Sequence, residues 1–204
     1  MSFERRWVVA TGNRGKLAEI RALLADLPID LVAQAELGVE AADESAVTFV
    51  ENALIKARHA AKRTGLPAIA DDSGLAVDAL GGQPGVRSAR FAGPHADDRA
   101  NIARLLDALA GVPPERRTAR FHCVVVAMTS PNDPAPTIAT GSWRGRIALA
   151  PVGSGGFGYD PVFFVDEHGC TAAELPPEVK NSISHRAAAF RSLVAALGER
   201  LGGR

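Results

Sequence analysis

Cysteine is scarce. Cys123 and Cys170 are the only two, with no CxxC and no zinc-ligand spacing, so neither a disulfide framework nor a structural zinc is expected, and a reducing compartment fits. Long apolar runs are missing: no stretch approaches the roughly 18 residues that a membrane span requires. The start "MSFERRWVV" is too short and too charged for a signal segment, so export is not expected either. Excess positive charge is missing as well. Lys plus Arg number 23 against 23 Asp plus Glu, which argues against a general nucleic-acid binder and makes any anion site a local feature. Repeats, low-complexity stretches and dividing linkers are also lacking. What is present suffices for a core: 204 residues, 47% of them hydrophobic, read as one domain over 1–204 with room for two lobes, in a soluble cytoplasmic protein.

"VVATGNRGKLAEIRALL" reads as a strand over Val8–Ala10, a turn, and a helix with Leu17, Ile20, Leu23, Leu24 and Leu27 at helical spacing until Pro28. The helix opens with Arg14 and Lys16, cations where the helix dipole favours acids; a visiting anion would resolve that mismatch. Removing Lys16 is therefore expected to leave stability unchanged or slightly raised. The turn is not a Walker loop, because Ala10 and Leu17 stand where glycine and a magnesium-binding hydroxyl would be needed. Thr11, Gly12, Asn13 and Gly15 remain as groups that could cap the helix or cradle a phosphate.

"VTFVENALIKARHAAKRTG" predicts a second helix, with a capping box from Thr48 to Glu51, an inner face of Val50, Leu54 and Ala57, and a stop at Gly65. In "PAIADDSGLAVDALGG" a short strand is expected to break at Asp71, Asp72, Ser73 and Gly74, leaving acids at a strand end. Neighbouring strand residues face opposite ways, so one of the two aspartates should point into any given site. Hard oxygen ligands beside a phosphate cradle favour magnesium over zinc, and Glu44 could add another. Asn101 to Leu109 reads as helix, and "RFHCVVVAMT" and "TIATGSWRGRI" read as an antiparallel hairpin. "GSGGFGYDPVFF" suits close approach to a flat ligand, and "KNSISHR" leads into a last helix near Ser184 that carries Phe190, Leu193, Val194, Leu197 and Leu201. That helix also starts with cations, His185 and Arg186, after Lys180. Strands alternating with helices, plus one hairpin, give an α/β fold on a mixed sheet.

"TGNRGK", "TFVENALIKA", "ADDSGLAVDALGGQPGVRSARFAG", "GGFGYDPVFF" and "SHRAAA", in that order over about 7 to 200, resemble the inosine/xanthosine triphosphate pyrophosphatases, the house-cleaning hydrolases of deaminated purine triphosphates. The resemblance implies a homodimeric, Mg2+-dependent enzyme that releases a nucleoside monophosphate and pyrophosphate, with two α/β lobes on an elongated sheet and the site between them. It makes Thr11, Gly12, Asn13, Arg14, Gly15, Lys16 and Lys56 phosphate contacts, Asp72 the general base and metal centre, and Glu44 a further metal-site acid. Ser73, Phe157, Gly158, Tyr159, Asp160, Lys180, His185 and Arg186 become nucleotide contacts. Tyr159 stands where some relatives have Trp, and Arg14 occupies a variable position. Donors on the 157–160 turn or Arg186 would read the C6 oxo group, so Arg186→Ala is expected to narrow selectivity against adenine. The rivals are a pyrophosphatase of modified pyrimidine triphosphates and a nucleotide sensor without turnover.

Overall fold

The computed structural model describes residues 5–202, with backbone alone for 199–202, so Leu201 of the predicted last helix lies outside the described side chains. Strands β1 (Arg6–Val9), β2 (Asp30–Ala33), β3 (Ala68–Val77), β4 (Thr118–Met128), β5 (Thr137–Ile147), β6 (Phe163–Val165) and β7 (Cys170–Thr171) form one seven-stranded sheet, ordered β2-β1-β3-β4-β5-β6-β7. β1 runs parallel to β2 and β3, with Val8 opposite Val32 and Ala68, while β6 is antiparallel to both β5 and β7. The sheet is therefore mixed, as expected, and β4 and β5 are neighbours. The helices are α1 (Arg14–Leu23), α2 (Phe49–Thr64), α3 (Asp98–Ala108), α4 (Pro177–Ile183) and α5 (His185–Gly202).

The chain forms two compact units. The first comprises residues up to Asp72, Cys123–Gly141 and those from Arg186 onward; the second comprises Ser73–His122 and Ser142–His185. In the first unit, alternate strand residues feed two cores. Trp7, Val9, Ile69, Cys123 and Val125 pack with Ile20 and Leu24 of α1 and Phe190, Leu193 and Leu197 of α5. Val8, Ala10, Ala68, Ala70 and Val126 pack instead with Ala53, Ala57, Ala60 and Ala61 of α2. Period-two alternation thus puts α1 and α5 on one face and α2 on the other. The second unit centres on Leu75, Val77, Phe121, Trp143 and Phe163 against Ile102, Leu105 and Leu109 of α3 and its C-terminal end.

Four expectations change. β3 runs unbroken through Asp71–Gly74, because each aspartate is buried and paired with cations, and that pairing outweighs the poor strand propensity of Asp. The buried side of α2 is Asn52, Ala53, Lys56, Ala57, Ala60 and Ala61, while Val50 and Leu54 are half-buried. Alanines let the helix lie close to the sheet and carry Asn52 and Lys56 inward. α3 starts three residues before Asn101, since Asp97 caps it by accepting from the Ala100 N–H at 2.8 Å. The short α4 was not foreseen. No described helix is long and apolar enough to cross a membrane.

Candidate active site

In the first unit, Asn13 caps α1: its Oδ1 accepts from the Lys16 N–H at 3.0 Å, and its own N–H donates to Thr11 Oγ1 at 3.1 Å. Gly12, Asn13 and Arg14 are exposed, and a Cβ added at Gly12 would meet nothing within 4 Å, so this turn is open to a ligand. Lys16 turns inward, its Nζ 3.4 Å from Asp71 Oδ2. The same oxygen takes Arg186 Nη2 at 3.2 Å and Nε at 3.3 Å, and Arg186 Nη1 binds Glu19 on α1. One cation at each helix start is thus answered from inside the chain, Lys16 by Asp71 and Arg186 by Asp71 and Glu19. Burial alone would raise the Asp71 carboxyl, but Lys16 first, then Arg186 and Lys56, hold it well below the usual carboxylate range.

This geometry overturns the expected stability effect at Lys16. Lys16→Ala should lower unfolding free energy by about 1–3 kcal/mol, the scale for a hydrogen-bonded charged group, because a fully buried carboxylate loses a partner. Triphosphate binding and turnover should weaken with it. Urea denaturation together with steady-state kinetics checks both, and an unchanged midpoint would show that Arg186 suffices for Asp71.

Asp72 makes a different set of contacts, as alternation predicts. Its Oδ1 lies 2.8 Å from Lys56 Nζ, and its Oδ2 accepts from Asn52 Nδ2 at 3.3 Å. Lys56 Nζ also reaches Glu44 Oε2 at 3.1 Å, so both predicted metal-site acids sit on one ammonium. Burial pushes the Asp72 carboxyl above its ordinary value, with Lys56 the main opposing influence. Burial also opposes charge on Lys56, but Asp72, Asp71 and Glu44 outweigh it and raise that ammonium. Asn52, which the sequence reading missed, ties the Glu44 loop to this place: its Oδ1 accepts from the Ala46 N–H at 3.1 Å. The signal available was a lone amide one turn before Lys56 in an alanine-rich helix.

The donor set suits a hard cation. Glu44 and Asp72 supply oxygens, and buried Asp71 Oδ1 makes no hydrogen bond. Among the described residues no three His, Cys, Asp or Glu side chains gather into a metal cage. Magnesium takes one or two carboxylates and completes its shell with phosphates and water, so these residues fit it; zinc would need more protein ligands.

The second unit holds the other predicted residues apart from Arg186. Asp160 Oδ2 accepts from the Phe157 N–H at 2.9 Å and from Lys180 Nζ at 2.5 Å, and that ammonium lies 4.8 Å from the Phe157 ring centroid. Asp160 is therefore the builder of its own turn. Gly156, at φ 70°, packs against its carboxylate where a Cβ would collide, which demands glycine on two counts. Tyr159 is buried and donates its hydroxyl to the Ser88 carbonyl at 2.8 Å, while Phe157 stays half-exposed. His185 is buried and stacks on Phe121 with centroids 4.7 Å apart. Ser73 is half-buried, the residue after Asp72 on β3. Arg186, expected among the base contacts, instead puts a fully buried guanidinium on Asp71 and Glu19 of the first unit.

Residues 7–196 match the model of the Ham1 family. A dITP/XTP pyrophosphatase of Xanthomonas campestris is 60% identical over 186 residues, covering 91% of this chain and 94% of the relative. One from Shigella flexneri is 57% identical over 190 residues, 93% and 96% of the two chains. Among solved structures, a HAM1 protein from Coxiella burnetii superposes with a TM-score of 0.87 at 52% identity, covering 95% of this chain and 98% of the other.

Proposed function

The chain belongs to the Ham1 family, and from that premise we propose that it hydrolyses deaminated purine nucleoside triphosphates, those of inosine, deoxyinosine and xanthosine, to the monophosphate and pyrophosphate. Asp72 carries this reading. It is a buried carboxylate whose affinity for a proton is raised by burial, held at 2.8 Å by an ammonium and beside the open helix start of the 11–16 turn.

The first unit's residues handle the phosphates. Thr11, Asn13 and the first-turn N–H groups of α1 receive oxygens at the positive end of the helix dipole, with Gly12 leaving room and Arg14 and Lys16 adding charge. Asp72 takes the proton of the attacking water as the anhydride between the α and β phosphates breaks and pyrophosphate leaves. Lys56 keeps Asp72 oriented and offsets its charge. Glu44 and Asp72 would hold Mg2+, which when bound supplies neutralisation of phosphate charge. Positioning and electrostatics provide most of the acceleration.

The second unit's turn handles the base. Phe157 offers a ring for stacking, while Tyr159 is fixed by its bond to the Ser88 carbonyl and His185 by its stack on Phe121. The Phe157 and Gly158 N–H groups already donate, to Asp160 and Asp98, so the C6 oxo group falls to Lys180, whose ammonium lies over the Phe157 ring and keeps donors beyond the one given to Asp160. Adenine presents an amino donor there and leaves the ammonium facing a donor. Its rejection should reach about 10²-fold or more in kcat/KM. Steady-state rates on the triphosphates of inosine, deoxyinosine, xanthosine, adenosine and guanosine, with the released phosphate species identified, test this. Equal kcat/KM for the inosine and adenosine substrates, or release of orthophosphate, overturns it. The same reading carries a homodimer, an action in the cytoplasm that two cysteines left as thiols support, and no nucleic-acid partner, which zero net charge supports.

A further inference from the structure

α3 begins with two consecutive acids. Asp97 serves as its cap, accepting from the Ala100 N–H. Asp98 follows in the first turn, where a carboxylate suits the helix dipole and could remain a solvated surface charge. It does something else: its Oδ2 accepts from the Gly158 N–H at 2.7 Å, joining residues 60 apart in sequence. Gly158 lies at φ 62°, in the left-handed region, between Phe157 and Tyr159. Asp160 also takes the Phe157 N–H, Lys180 binds Asp160, Ser88 takes the Tyr159 hydroxyl, and the Asp160 N–H donates to the Phe157 carbonyl at 3.3 Å. The Phe157–Gly158 peptide is thus held at its carbonyl by the turn itself and at its N–H by Asp98. Burial first, and then the Asp98 charge, also keep the Tyr159 hydroxyl protonated well above the usual range, which preserves its bond to Ser88.

We infer that Asp98 is a positioning residue for base recognition, its carboxylate fixing the Phe157–Gly158 peptide so that the Phe157 ring is set for stacking and the Gly158 N–H is withheld from the substrate. This rests on the reading that Phe157 meets the base. A carboxylate acting through a peptide has no role in the proton transfer, so its loss should appear in substrate affinity.

The test compares Asp98→Ala, Asp98→Asn and Phe157→Ala in the full chain, with inosine triphosphate as substrate and inorganic tripolyphosphate, which has no base, as inhibitor. Asp98→Ala should raise KM by about 10-fold, the scale for a lost charge-assisted hydrogen bond, with kcat changed by less than about 2-fold and tripolyphosphate inhibition unaltered. Asp98→Asn keeps an acceptor oxygen and should recover most of the loss. Asp98 is exposed, and thermal melts of each variant establish that the fold is retained. If Phe157→Ala raises KM and Asp98→Ala does not, or if Asn does no better than Ala, the inference fails while the base site stands. If Phe157→Ala leaves KM unchanged, the base-site reading fails and takes this inference with it.

Discussion

Asp72→Asn should lower kcat by about 10²-fold or more while the protein stays folded and still binds nucleotide, because an amide keeps the shape of the carboxylate but takes no proton from water. The surroundings make this a clean substitution. An amide oxygen can still accept from Lys56 Nζ, which also retains Glu44. Its NH2 group would face the Asn52 amide, a local donor conflict worth a fraction of the stability rather than the fold. The sign of the pH dependence follows from burial. Without metal, burial raises the Asp72 carboxyl, and Mg2+ on the same carboxylate would oppose its protonation. kcat should fall on acidification as Asp72 is protonated, the acid limb should move to lower pH as Mg2+ is raised, and the Asn variant should lack the limb. Rates of pyrophosphate release across pH, with nucleotide affinity measured separately, check both parts. Near-normal turnover by the Asn variant would move the base elsewhere, and Asp71 could not replace it: Lys16 and Arg186 hold that carboxylate ionised and weakly basic.

Which features were legible follows the length scale of the interactions that make them. The Asn13 cap on Lys16 and the Thr48 cap on Glu51 join residues three apart, so the sequence states them directly; Glu51 answers the Thr48 hydroxyl rather than its N–H, so only half of the expected capping box forms. The order of elements was readable from apolar periodicity for the same reason. Side-chain ties over longer separations were not. Two adjacent aspartates could be seen, but not that Asp71 would meet Arg186 across 115 residues while Asp72 met Lys56 across 16. Without those partners, an unbroken β3 looked unfavourable. On α2, Ala57 and the half-buried Leu54 pack on the expected face, but its most buried residues include Ala53, Ala60 and Ala61, because close helix-to-sheet packing selects small side chains. Asp98 precedes the predicted helix start at Asn101, and nothing local points to its partner 60 residues away. His185 and Arg186, consecutive in sequence, serve different units, a division that helical spacing does not reveal.

Arg186 is where the two kinds of reading disagree most, and its replacement gives the largest expected loss of stability. Its guanidinium is fully buried and shared between Asp71, whose side chain is also fully buried, and Glu19. Burying an ion pair contributes little net stability, but removing one member leaves the other charge desolvated and uncompensated, at a cost of about 3–5 kcal/mol. Arg186→Ala does this to two carboxylates together and adds a void. Lys16, at 3.4 Å, remains the cation nearest to Asp71. Against a total of about 5–15 kcal/mol for a domain, the variant should unfold at a much lower urea concentration. Arg186→Lys should rescue it poorly, since one ammonium cannot reproduce contacts from Nε, Nη1 and Nη2 at once. Acid stability gives a second readout. Asp71 is held below its unfolded value, so its contribution is present above the ordinary carboxylate range and is lost as pH falls through the depressed value. Without Arg186 that depression shrinks, and acid unfolding should begin at higher pH. Urea and acid titrations followed by circular dichroism measure both effects. If instead Arg186→Ala melts like the parent protein and only narrows the preference for inosine over adenosine triphosphate, then Arg186 faces the base, and the buried network on Asp71 and Glu19 is not what holds α1, β3 and α5 together.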